Sequence, residues 1–525
     1  MGRVSRSVQM IFTTAVLACG VFVSLASAQT PASNAYVSDE LLVKFLDGPA
    51  SNNAHIVNRA VGSTVLEDLG DLRWQRVRIP IGMTIDDAIE RYKKFGDVEY
   101  VQPNYYYHLL ATPNDPQFLS SGMYGLMKIS APQAWDLSTG SSSVVVADID
   151  TGLKYTHEDL AANSWTNPGE IPNNGIDDDG NGFIDDVHGW DFFYNDNDPI
   201  DDAGGHGTHT AGTIGAVGNN LLDVVGVNWN VKIMAVKIYS PAGTDSTSAM
   251  LVNAYNYVRM MKNRGVNIRA TNNSYGDCGE ACGYDLATKD GIDAMGNAGI
   301  VNVFAAGNIS GNNNDLNPSH SYPSVYTSPS IISVAASDST DAKASFSCFG
   351  PISVDLAAPG VGVLSTTNGS NSEIGIKSGT SMATPHVTGA VALLSAYRPD
   401  LSVASLKASL MNNVDVLPQW NGIVKSGGRL NIFKAMQNPT VCNFTVGTGS
   451  MKAPTKGGVF TLNVPAGTNC DYFVSSSSRW IKVLTPDLMS GAGSVTFRVT
   501  VNPSITRTGT ISIGGQNFTI NQARN

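Results

Sequence analysis

The periodicity of the hydrophobic positions changes twice along the chain and divides it into three regions. In the first region, residues 36–108, short apolar runs predict strands at 40–45, 74–79 and 98–101, and helical spacing predicts helices at 54–61 and 84–95. Strands and helices that alternate over so short a span predict a small α+β fold built against one sheet.

The second region, residues 125–438, alternates apolar strands with longer helices. We predict strands at 144–149, 231–238, 268–272, 300–305 and 331–335, and helices at 248–264 and 286–299. This alternation predicts an α/β fold with three layers, α/β/α, around a parallel sheet covered on both faces. Ligands of such sheets bind at the carboxyl ends of the strands.

The third region, residues 440–525, has no helical periodicity. Short alternating runs predict strands at 459–464, 471–475, 495–501, 508–513 and 518–520. Several short strands separated by turn residues predict an all-β sandwich.

The N-terminal residues resemble an export signal. Arg3 and Arg6 precede an apolar run at 10–25 that ends in the small residues 26–28, so we predict a signal peptide at 1–28 and a secreted, extracellular protein. A membrane anchor is the alternative, but the run is short and contains polar residues. A second alternative is a lipid-anchored protein, because residues 16–19 loosely match a lipobox ending at Cys19.

Composition narrows the class of protein. The chain has 525 residues, of which 42% are hydrophobic and 15% are charged, with 53 glycines, which favours folded domains of an exported protein over disorder. The formal net charge of −11 gives no basic surface, so we expect no nucleic-acid partner.

The six cysteines predict local disulfides rather than a metal site. Cys278 and Cys282 are close in sequence, and Cys442 and Cys470 both lie in the third region, so two disulfides fit an exported protein. Cys348 lies in an apolar stretch and is expected to be a small buried residue.

Ser381 precedes an apolar run with helical spacing. Pro385 lacks an N–H and is tolerated in the first turn of a helix, so the helix is expected to begin near Ser381. Unpaired N–H groups at a helix N-terminus suit a place where negative charge develops. The simplest alternative is that Ser381 only caps a buried helix.

Two further stretches carry ionisable side chains. Asp150 follows the predicted strand 144–149 and precedes Thr151-Gly152; this tripeptide also occurs in aspartic proteases, but no second copy follows. His206 lies in a glycine-rich stretch and can act as a base. A zinc site formed by His206 and His209 is the alternative, although the glutamate of a zincin motif is missing.

Taken together, the three stretches resemble the subtilisin-like serine proteases, in which an acid, a histidine and a serine follow in this order. Thermitase-like members share the opening Asn114-Asp115-Pro116. The resemblance implies that Ser381 is the nucleophile, His206 the base and Asp150 its orienting acid. It also implies that Asn308 and the N–H of Ser381 stabilise the oxyanion.

The same resemblance implies that protein or peptide substrates bind in an extended conformation. Their binding residues would be Ser274, Tyr275, Gly276, Ala306 and Gly307, with Ser321 lining the primary specificity pocket. Because these stretches contain no acidic residue, we expect a broad or apolar preference.

An acidic loop predicts a calcium site. Residues 177–186 place oxygen ligands at the spacing of an EF-hand loop, with His188 at its last position and Asp186 as its substitute: Asp177, Asp179, Asn181, Asp185 and Asp186. A solvated acidic loop is the alternative. By resemblance, a second calcium site would use Asp115, Asp159 and Asn220, with carbonyl oxygens from residues 218–224.

The resemblance also assigns the remaining regions. Residues 29–111 resemble the family's inhibitory prodomain, a small ferredoxin-like fold removed by self-cleavage near Ala111, and residues 112–438 form the catalytic domain. Residues 440–525 resemble the BACON-like β-sandwich modules of secreted bacterial hydrolases, which leaves contact with a cell surface or polysaccharide open. We therefore expect a calcium-dependent serine endopeptidase; an inactive relative that binds peptides is the alternative.

Overall fold

The computed structural model describes residues 36–106, 112–243, 245–276, 284–444, 446 and 449–524, and the chain divides into two units, Met1–Leu109 and Leu110–Asn525. The expected signal peptide, the expected cleavage position Ala111, and Cys278 and Cys282 lie outside the described residues.

The first unit is a four-stranded antiparallel sheet with two helices, which confirms the α+β prediction. Its strands have the order β2-β3-β1-β4, as in a ferredoxin-like fold. The elements are β1 (Tyr36–Phe45), α1 (Asn52–Val61), β2 (Thr64–Asp68), β3 (Trp74–Arg78), α2 (Ile85–Tyr92) and β4 (Val98–Tyr105). Strand β2 was not predicted, because four of its five residues are exposed and it lacks an apolar face.

A nine-stranded sheet forms the centre of the second unit, with the order β14-β15-β11-β10-β9-β8-β5-β7-β6. All neighbouring pairs are parallel except β14 and β15. Its strands are β5 (Gly140–Asp150), β6 (Gly189–Asp191), β7 (Asn230–Lys237), β8 (Ile268–Asn273), β9 (Val301–Ala305), β10 (Ile331–Ser337), β11 (Leu356–Pro359), β14 (Asp415–Val416) and β15 (Gly428–Arg429). The prediction of a parallel α/β sheet is therefore confirmed.

Helices surround this sheet, and a two-stranded hairpin, β12 (Val363–Thr366) with β13 (Ile374–Lys377), lies outside it. The helices are α3 (Tyr124–Lys128), α4 (Ala131–Trp135), α5 (His206–Gly215), α6 (Ser248–Asn263), α7 (Leu286–Asn297), α8 (Thr380–Tyr397), α9 (Val403–Asn412) and α10 (Ile432–Gln437). Helix α8 is buried over most of its length and packs against β5, β8, β9 and β10. It is therefore the central helix of the domain.

The last residues form two small sheets, β16-β23-β22-β18-β20 and β17-β21-β19, which confirms the all-β prediction. The strands are β16 (Ser450–Ala453), β17 (Gly458–Val464), β18 (Asp471–Ser475), β19 (Ile481–Val483), β20 (Leu488–Ser490), β21 (Gly493–Val499), β22 (Arg507–Ile513) and β23 (Gln516–Gln522). Apolar residues of both sheets, including Val474 and Phe497, form one core.

Cysteine placement agrees with the prediction where it is described. Cys442 and Cys470 form a disulfide bond, and Cys348 is fully buried. Within the described ranges, every helix is too short or too polar to cross a bilayer.

Candidate active site

The side chains singled out by the three motifs lie at the carboxyl edge of the parallel sheet. Asp150 is the last residue of β5, and His206 is the first residue of α5. Asn308 follows β9 by three residues, and Ser381 lies in the first turn of α8. Parallel strands all end at this edge, so residues distant in sequence meet there.

Asp150 holds the imidazole of His206. Asp150 Oδ1 lies 2.6 Å from His206 Nδ1 and also accepts a 2.7 Å hydrogen bond from the Thr151 N–H. The side chain of Asp150 is 2% exposed, whereas that of His206 is 31% exposed. Because Nδ1 faces a carboxylate it carries the proton, which leaves Nε2 as the acceptor in the neutral ring.

Two glycines allow this contact. Gly205 has a φ of 74°, a left-handed conformation that glycine adopts without strain, and it precedes the first residue of α5. A Cβ atom on Gly207 would lie 2.2 Å from the carbonyl oxygen of Gly152. Any larger residue at position 207 would therefore push α5 away from the end of β5.

The electrostatic environment of His206 favours its protonated form. Burial alone lowers its pKa, but the charge of Asp150 and its hydrogen bond together outweigh burial and raise the pKa of His206 above its ordinary value. The imidazole is therefore a stronger base than an isolated histidine.

Ser381 is positioned by the start of α8. Its Oγ donates a 3.1 Å hydrogen bond to the carbonyl oxygen of Ser274, and no hydrogen bond among the described residues joins Ser381 Oγ to His206. The N–H of Ser381 lies in the first turn, where backbone donors have no intrahelical acceptor. It is therefore available to a group bound beside the serine.

Helix α8 begins at Thr380, which confirms the expected start near Ser381, but Pro385 lies beyond its first turn, so that part of the expectation is wrong. A proline there deprives the carbonyl oxygen four residues earlier, that of Ser381, of its helical donor. Ser274 Oγ supplies the missing hydrogen bond at 2.9 Å. The helix therefore tolerates Pro385 through a donor from outside.

The Asn308 amide has a defined orientation. Its Oδ1 accepts hydrogen bonds from Thr380 N at 2.9 Å and from Thr380 Oγ1 at 3.0 Å. Because both partners are donors, the oxygen must face Thr380 and the Nδ2 donor must point away from it. Asn308 is exposed, so its Nδ2 is accessible from the site. Sequence reasoning did not identify Thr380.

The expected substrate-binding residues differ in how accessible they are. Ser274 is 5% exposed, and both its hydroxyl and its carbonyl oxygen contact Ser381. The Tyr275 hydroxyl donates to Asn273 Oδ1 at 2.8 Å and lies 2.7 Å from the Tyr255 hydroxyl. Gly276 has a φ of 148° and carries no side chain. The hydroxyl of Tyr275 is thus engaged within the protein.

Residues after β9 form a polar cluster. The carbonyl oxygen of Ala306 accepts Asn314 Nδ2 at 2.9 Å, and Gly307 has a φ of 109°. Ser321 is 2% exposed, and its Oγ donates to Asn314 Oδ1 at 2.7 Å. The Ser321 hydroxyl is therefore already engaged by Asn314, a residue that the motifs did not indicate.

The acidic loop contributes to one group of carboxylates that could hold a metal ion. Oxygens of Glu170, Asp177 and Asp179 lie within 4.8 Å of one another, and Glu170 was not among the predicted residues. Asn181 Nδ2 donates to Asp179 Oδ2 and Asp186 Oδ2, so these residues share one cluster. Burial raises the pKa of Asp186 to about 6.

Asp185 lies outside this arrangement. Its two carboxylate oxygens accept the backbone N–H groups of Asn174 and Gly175 at 3.1 and 2.8 Å. Asp177 and Glu170 accept backbone N–H groups in the same way, so only the distance between carboxylate oxygens sets Asp185 apart from them.

The second expected cation site is assembled around two buried carboxylates. Asp115 is 4% exposed and accepts the N–H groups of Asn219 and Asn220, and Asp159 is 0% exposed and accepts Asn220 Nδ2 at 2.8 Å. Asp223 Oδ2 is buried nearby without a hydrogen-bond partner among the described residues. Burial, together with the charges of Asp115 and Asp223, raises the pKa of Asp159 to about 6. Carboxylates that crowd in this way fit a hard cation with oxygen ligands.

His209 has a different environment from His206. Its Nε2 lies 3.0 Å from the carbonyl oxygen of Val363 and 3.2 Å from that of Gly375, and burial lowers its pKa to about 3. The two histidines therefore do not share a ligand, and the zinc alternative has no support in this geometry.

An imidazole held by a carboxylate can take a proton from a neighbouring serine hydroxyl, so this edge of the sheet is that of an α/β serine hydrolase. The family comparisons lead to the same class. Residues 141–490 match the subtilase family, and residues 24–104 match the fervidolysin N-terminal prodomain. The chain belongs to the subtilase family; it is a serine endopeptidase with an N-terminal prodomain.

Three relatives illustrate the extent of similarity. The chain is 35% identical to thermitase of Thermoactinomyces vulgaris over 326 residues, covering 62% of this chain and 99% of thermitase. It is 32% identical to the thermophilic serine proteinase of Bacillus sp. (strain AK1), over 77% of this chain and 88% of that protein. It is also 32% identical to the extracellular protease of Xanthomonas campestris pv. campestris, over 61% of this chain and 56% of that protein.

Proposed function

We propose that Ser381, His206 and Asp150 form the catalytic triad. Ser381 Oγ attacks the carbonyl carbon of the scissile peptide bond while His206 Nε2 takes the hydroxyl proton. His206 then donates that proton to the leaving amine, and water hydrolyses the acyl-enzyme by the reverse sequence. The observation that carries this proposal is the 2.6 Å contact between Asp150 and His206.

Two donors are proposed to stabilise the tetrahedral oxyanion. Thr380 turns the Nδ2 of Asn308 away from itself, and the N–H of Ser381 lies in the first turn of α8. Charge that develops between two fixed donors is stabilised without reorganisation. Before reaction, the Ser381 hydroxyl rotates from the carbonyl oxygen of Ser274 toward His206.

An extended peptide substrate is proposed to bind along residues 274–276. Ser274 is anchored to α8, so the backbone that follows it is held beside the nucleophile. Ala306, Gly307 and Ser321 are proposed to line the adjoining pocket. The named residues of both segments carry no charge, which supports a preference for apolar or unselected side chains over basic ones.

We propose calcium as the stabilising ion at two sites. One would use Glu170, Asp177 and Asp179, supported by Asn181 and Asp186. The other would use Asp115, Asp159 and Asn220, with Asp223 nearby. Bound calcium would supply positive charge that offsets the repulsion between these carboxylates. The hydrogen bonds that the carboxylates accept orient the loops around each site.

We also propose that the protein is secreted and processes itself. The apolar run at 10–25 supports a signal peptide at 1–28, and the Xanthomonas relative is named an extracellular protease. Residues 29–111 would inhibit the enzyme until cleavage near Ala111. Residues 112–438 would form the catalytic domain and 440–525 the β-sandwich, for which contact with a cell surface or polysaccharide is part of the proposal.

The test compares the full chain with Ser381→Ala. We expect the wild-type protein to hydrolyse casein and to lose its N-terminal segment, as read by intact mass and N-terminal sequencing. Ser381→Ala should do neither. Serine-directed inhibitor should block both reactions of the wild-type protein. Hydrolysis that persists in Ser381→Ala would exclude this mechanism.

A further inference from the structure

A second carboxyl group lies beneath the contact between Asp150 and His206. Asp148 precedes Asp150 by two residues on β5, and side chains two residues apart on a strand lie on the same face. Asp148 is 2% exposed, and its register partner on the neighbouring strand β8 is Asn272. The proposed triad chemistry does not use this carboxyl.

Asp148 contacts the helix that carries the histidine. Its Oδ2 lies 3.0 Å from the Oγ1 of Thr210, which follows His206 by four residues on α5. Two residues of a strand span about 6.6 Å and four residues of a helix about 6.0 Å. Asp150 and Asp148 are therefore spaced along β5 almost as His206 and Thr210 are spaced along α5. The contact between Asp148 and Thr210 therefore repeats that between Asp150 and His206, one helical turn further on.

On its other side, Asp148 contacts the residues that hold the serine. Asn272 Nδ2 lies 2.9 Å from Asp148 Oδ1 and 3.1 Å from Ser274 Oγ. The single proton of Ser274 Oγ goes to the carbonyl oxygen of Ser381, so Ser274 accepts from Asn272. This orients the amide, with its oxygen toward Thr388 Oγ1 at 3.0 Å. Asp148 Oδ1 is therefore an acceptor.

The Thr210 hydroxyl determines whether Asp148 Oδ2 accepts or donates a hydrogen bond. Thr210 Oγ1 lies 2.9 Å from the carbonyl oxygen of Gly207 and 3.0 Å from Asp148 Oδ2. A carbonyl oxygen can only accept, and a hydroxyl has one proton to donate. If that proton goes to Gly207, Asp148 Oδ2 must itself carry a proton and donate to Thr210. Both oxygens of Asp148 and the Thr210 hydroxyl then each have a complementary partner.

The electrostatics favour the same protonation state. Burial raises the pKa of Asp148 well above its usual value, and the charge of Asp150 raises it further. The hydrogen bonds from Asn272 and Thr210 and the charge of His206 act in the opposite direction. Asp150 and His206 are the ionisable groups that act on Asp148 within the described structure, whereas β8 and α8 present the neutral Asn272 and Thr388 to this network.

We propose that Asp148 is a protonated carboxylic acid and a positioning residue, which ties α5, through Thr210, to Asn272 and so sets the placement of His206 relative to Ser381. This proposal rests on the roles proposed above for His206 and Ser381. Its distinguishing feature is the proton on Oδ2, because an ionised Asp148 would only accept.

Two substitutions at position 148 distinguish a protonated Asp148 from an ionised one. Asparagine reproduces the neutral acid, since its Nδ2 can donate to Thr210 and its oxygen can accept from Asn272, whereas valine does neither. We expect Asp148→Val to lower kcat/KM about tenfold or more, the effect of unpaired buried polar groups. Asp148→Asn should restore kcat/KM to within about threefold of the wild-type value and leave the acid limb of its pH profile unchanged.

Asp201 provides a matched control. It is also buried, at 4% exposed, but its oxygens accept from five donors: Thr208 N, Thr208 Oγ1, Thr151 Oγ1, Ala203 N and, at 3.5 Å, Asn368 Nδ2. An asparagine there would direct its NH₂ at a donor. Asp201→Asn should therefore lower stability and activity, in contrast to Asp148→Asn.

A spectroscopic readout is independent of activity. The full chain with Ser381→Ala should show the infrared carbonyl stretch of a protonated carboxyl at neutral pH, and adding Asp148→Asn should remove that band. Failure of the triad proposal would leave this band in place. The proposal is overturned if the band is absent, if Asp148→Asn moves the acid limb downward, or if Asp148→Val retains wild-type kcat/KM.

Discussion

Ser274 Oγ donates a 2.9 Å hydrogen bond to the main-chain carbonyl oxygen of Ser381. That oxygen would receive the N–H of residue 385 in an uninterrupted helix, but proline has none. The strand end that is proposed to hold substrate and the helix that presents the nucleophile are thus joined by one hydroxyl. Substitutions at positions 274 and 385 should depend on each other.

We expect Ser274→Ala to cost about 1–3 kcal/mol of unfolding free energy, because it leaves the Ser381 carbonyl oxygen without a donor. Pro385→Ala supplies a helical N–H to the same oxygen. Ser274→Ala should therefore cost less in a Pro385→Ala background. Urea unfolding of the four combinations, each with Ser381→Ala to prevent autolysis, measures the coupling. Equal costs in the two backgrounds would contradict the shared acceptor.

The orientation of Asn308 yields a second prediction. Asn308→Ala should reduce kcat by about two to three orders of magnitude, the effect of losing the oxyanion-hole asparagine of subtilisin. Thr380→Val removes one of the two donors that fix the Asn308 oxygen and should reduce kcat about tenfold with little change in KM.

Thr380→Ser is the matched control for that prediction, because it keeps the hydroxyl and should retain most of the wild-type kcat. Steady-state kinetics on one peptide substrate separate kcat from KM. If Thr380→Val and Thr380→Ser have the same kcat, the hydroxyl does not orient Asn308.

Much of the fold follows from periodicity. The second half of β5 and the run from Val387 to Leu394 in α8 are rich in apolar residues, and their burial is apparent from the sequence. Short elements escape this reasoning: β6 and β11 have three and four residues, too few for a periodic signal. The strand β2 has no buried residue and therefore lacks the apolar face that a strand prediction needs.

The site is only partly accessible to such reasoning. Motif order indicates which acid, histidine and serine to compare, since each lies beside a recognisable strand end or helix start. The motifs also indicate Asn308, but the residue that orients it is less apparent, because Thr380 and Asn308 are 72 residues apart. Asp185 shows the converse: its spacing suits a ligand, but the carboxylate oxygens that lie close together belong to Glu170, Asp177 and Asp179.

The pH dependence of kcat/KM should reflect the raised pKa of His206. The base must be neutral, so activity is lost as the pH falls through the pKa of His206, which the charge of Asp150 places above the ordinary 6.5. Asp150→Asn removes that charge and leaves the burial, so the pKa of His206 should fall and kcat should drop by about 10⁴-fold. NMR titration of the His206 ring in Ser381→Ala, with and without Asp150→Asn, measures the shift. A pKa that is unchanged or higher in Asp150→Asn would contradict this account.

The revised ligand set for the acidic loop can be tested against the one expected from spacing. We expect two calcium ions per chain, and chelation should lower Tm. Glu170→Gln should remove one ion, because its oxygen lies in the cluster with Asp177 and Asp179. Asp159→Asn should remove the other ion.

Asp185→Asn is the control for that experiment. It weakens a turn, so Tm should fall, but both calcium ions should remain bound. Calcium content by atomic emission after dialysis distinguishes the variants. If Asp185→Asn loses an ion and Glu170→Gln loses none, the ligand set expected from the EF-hand spacing is the correct one.

A buried cation should hold the β-sandwich against the catalytic domain. Lys407 on α9 is 5% exposed, and its Nζ lies 3.0 Å from Asp471 Oδ2 on β18 and 3.4 Å from Asp355 Oδ1. Burial alone lowers the pKa of Lys407, but the two carboxylates outweigh it and raise the pKa above its usual value. The lysine is therefore charged at every pH at which the enzyme would work. Its removal takes the cation away from buried Asp355 and leaves Asp471 with the more distant Lys425, whose Nζ lies 3.7 Å from it.

Lys407→Ala should accordingly lower the unfolding free energy by about 3–5 kcal/mol, the effect of breaking a buried ion pair. Lys434→Ala is the matched control, because its pair with Asp415 is 49% exposed on the lysine side and should contribute less than about 1 kcal/mol. Urea unfolding in the presence of calcium, with Ser381→Ala in both chains, measures the difference. Limited proteolysis gives a second readout. If the ion pair holds the β-sandwich in place, Lys407→Ala should be cut near residue 440 faster than Lys434→Ala. Equal rates would mean that the disulfide and apolar contacts suffice.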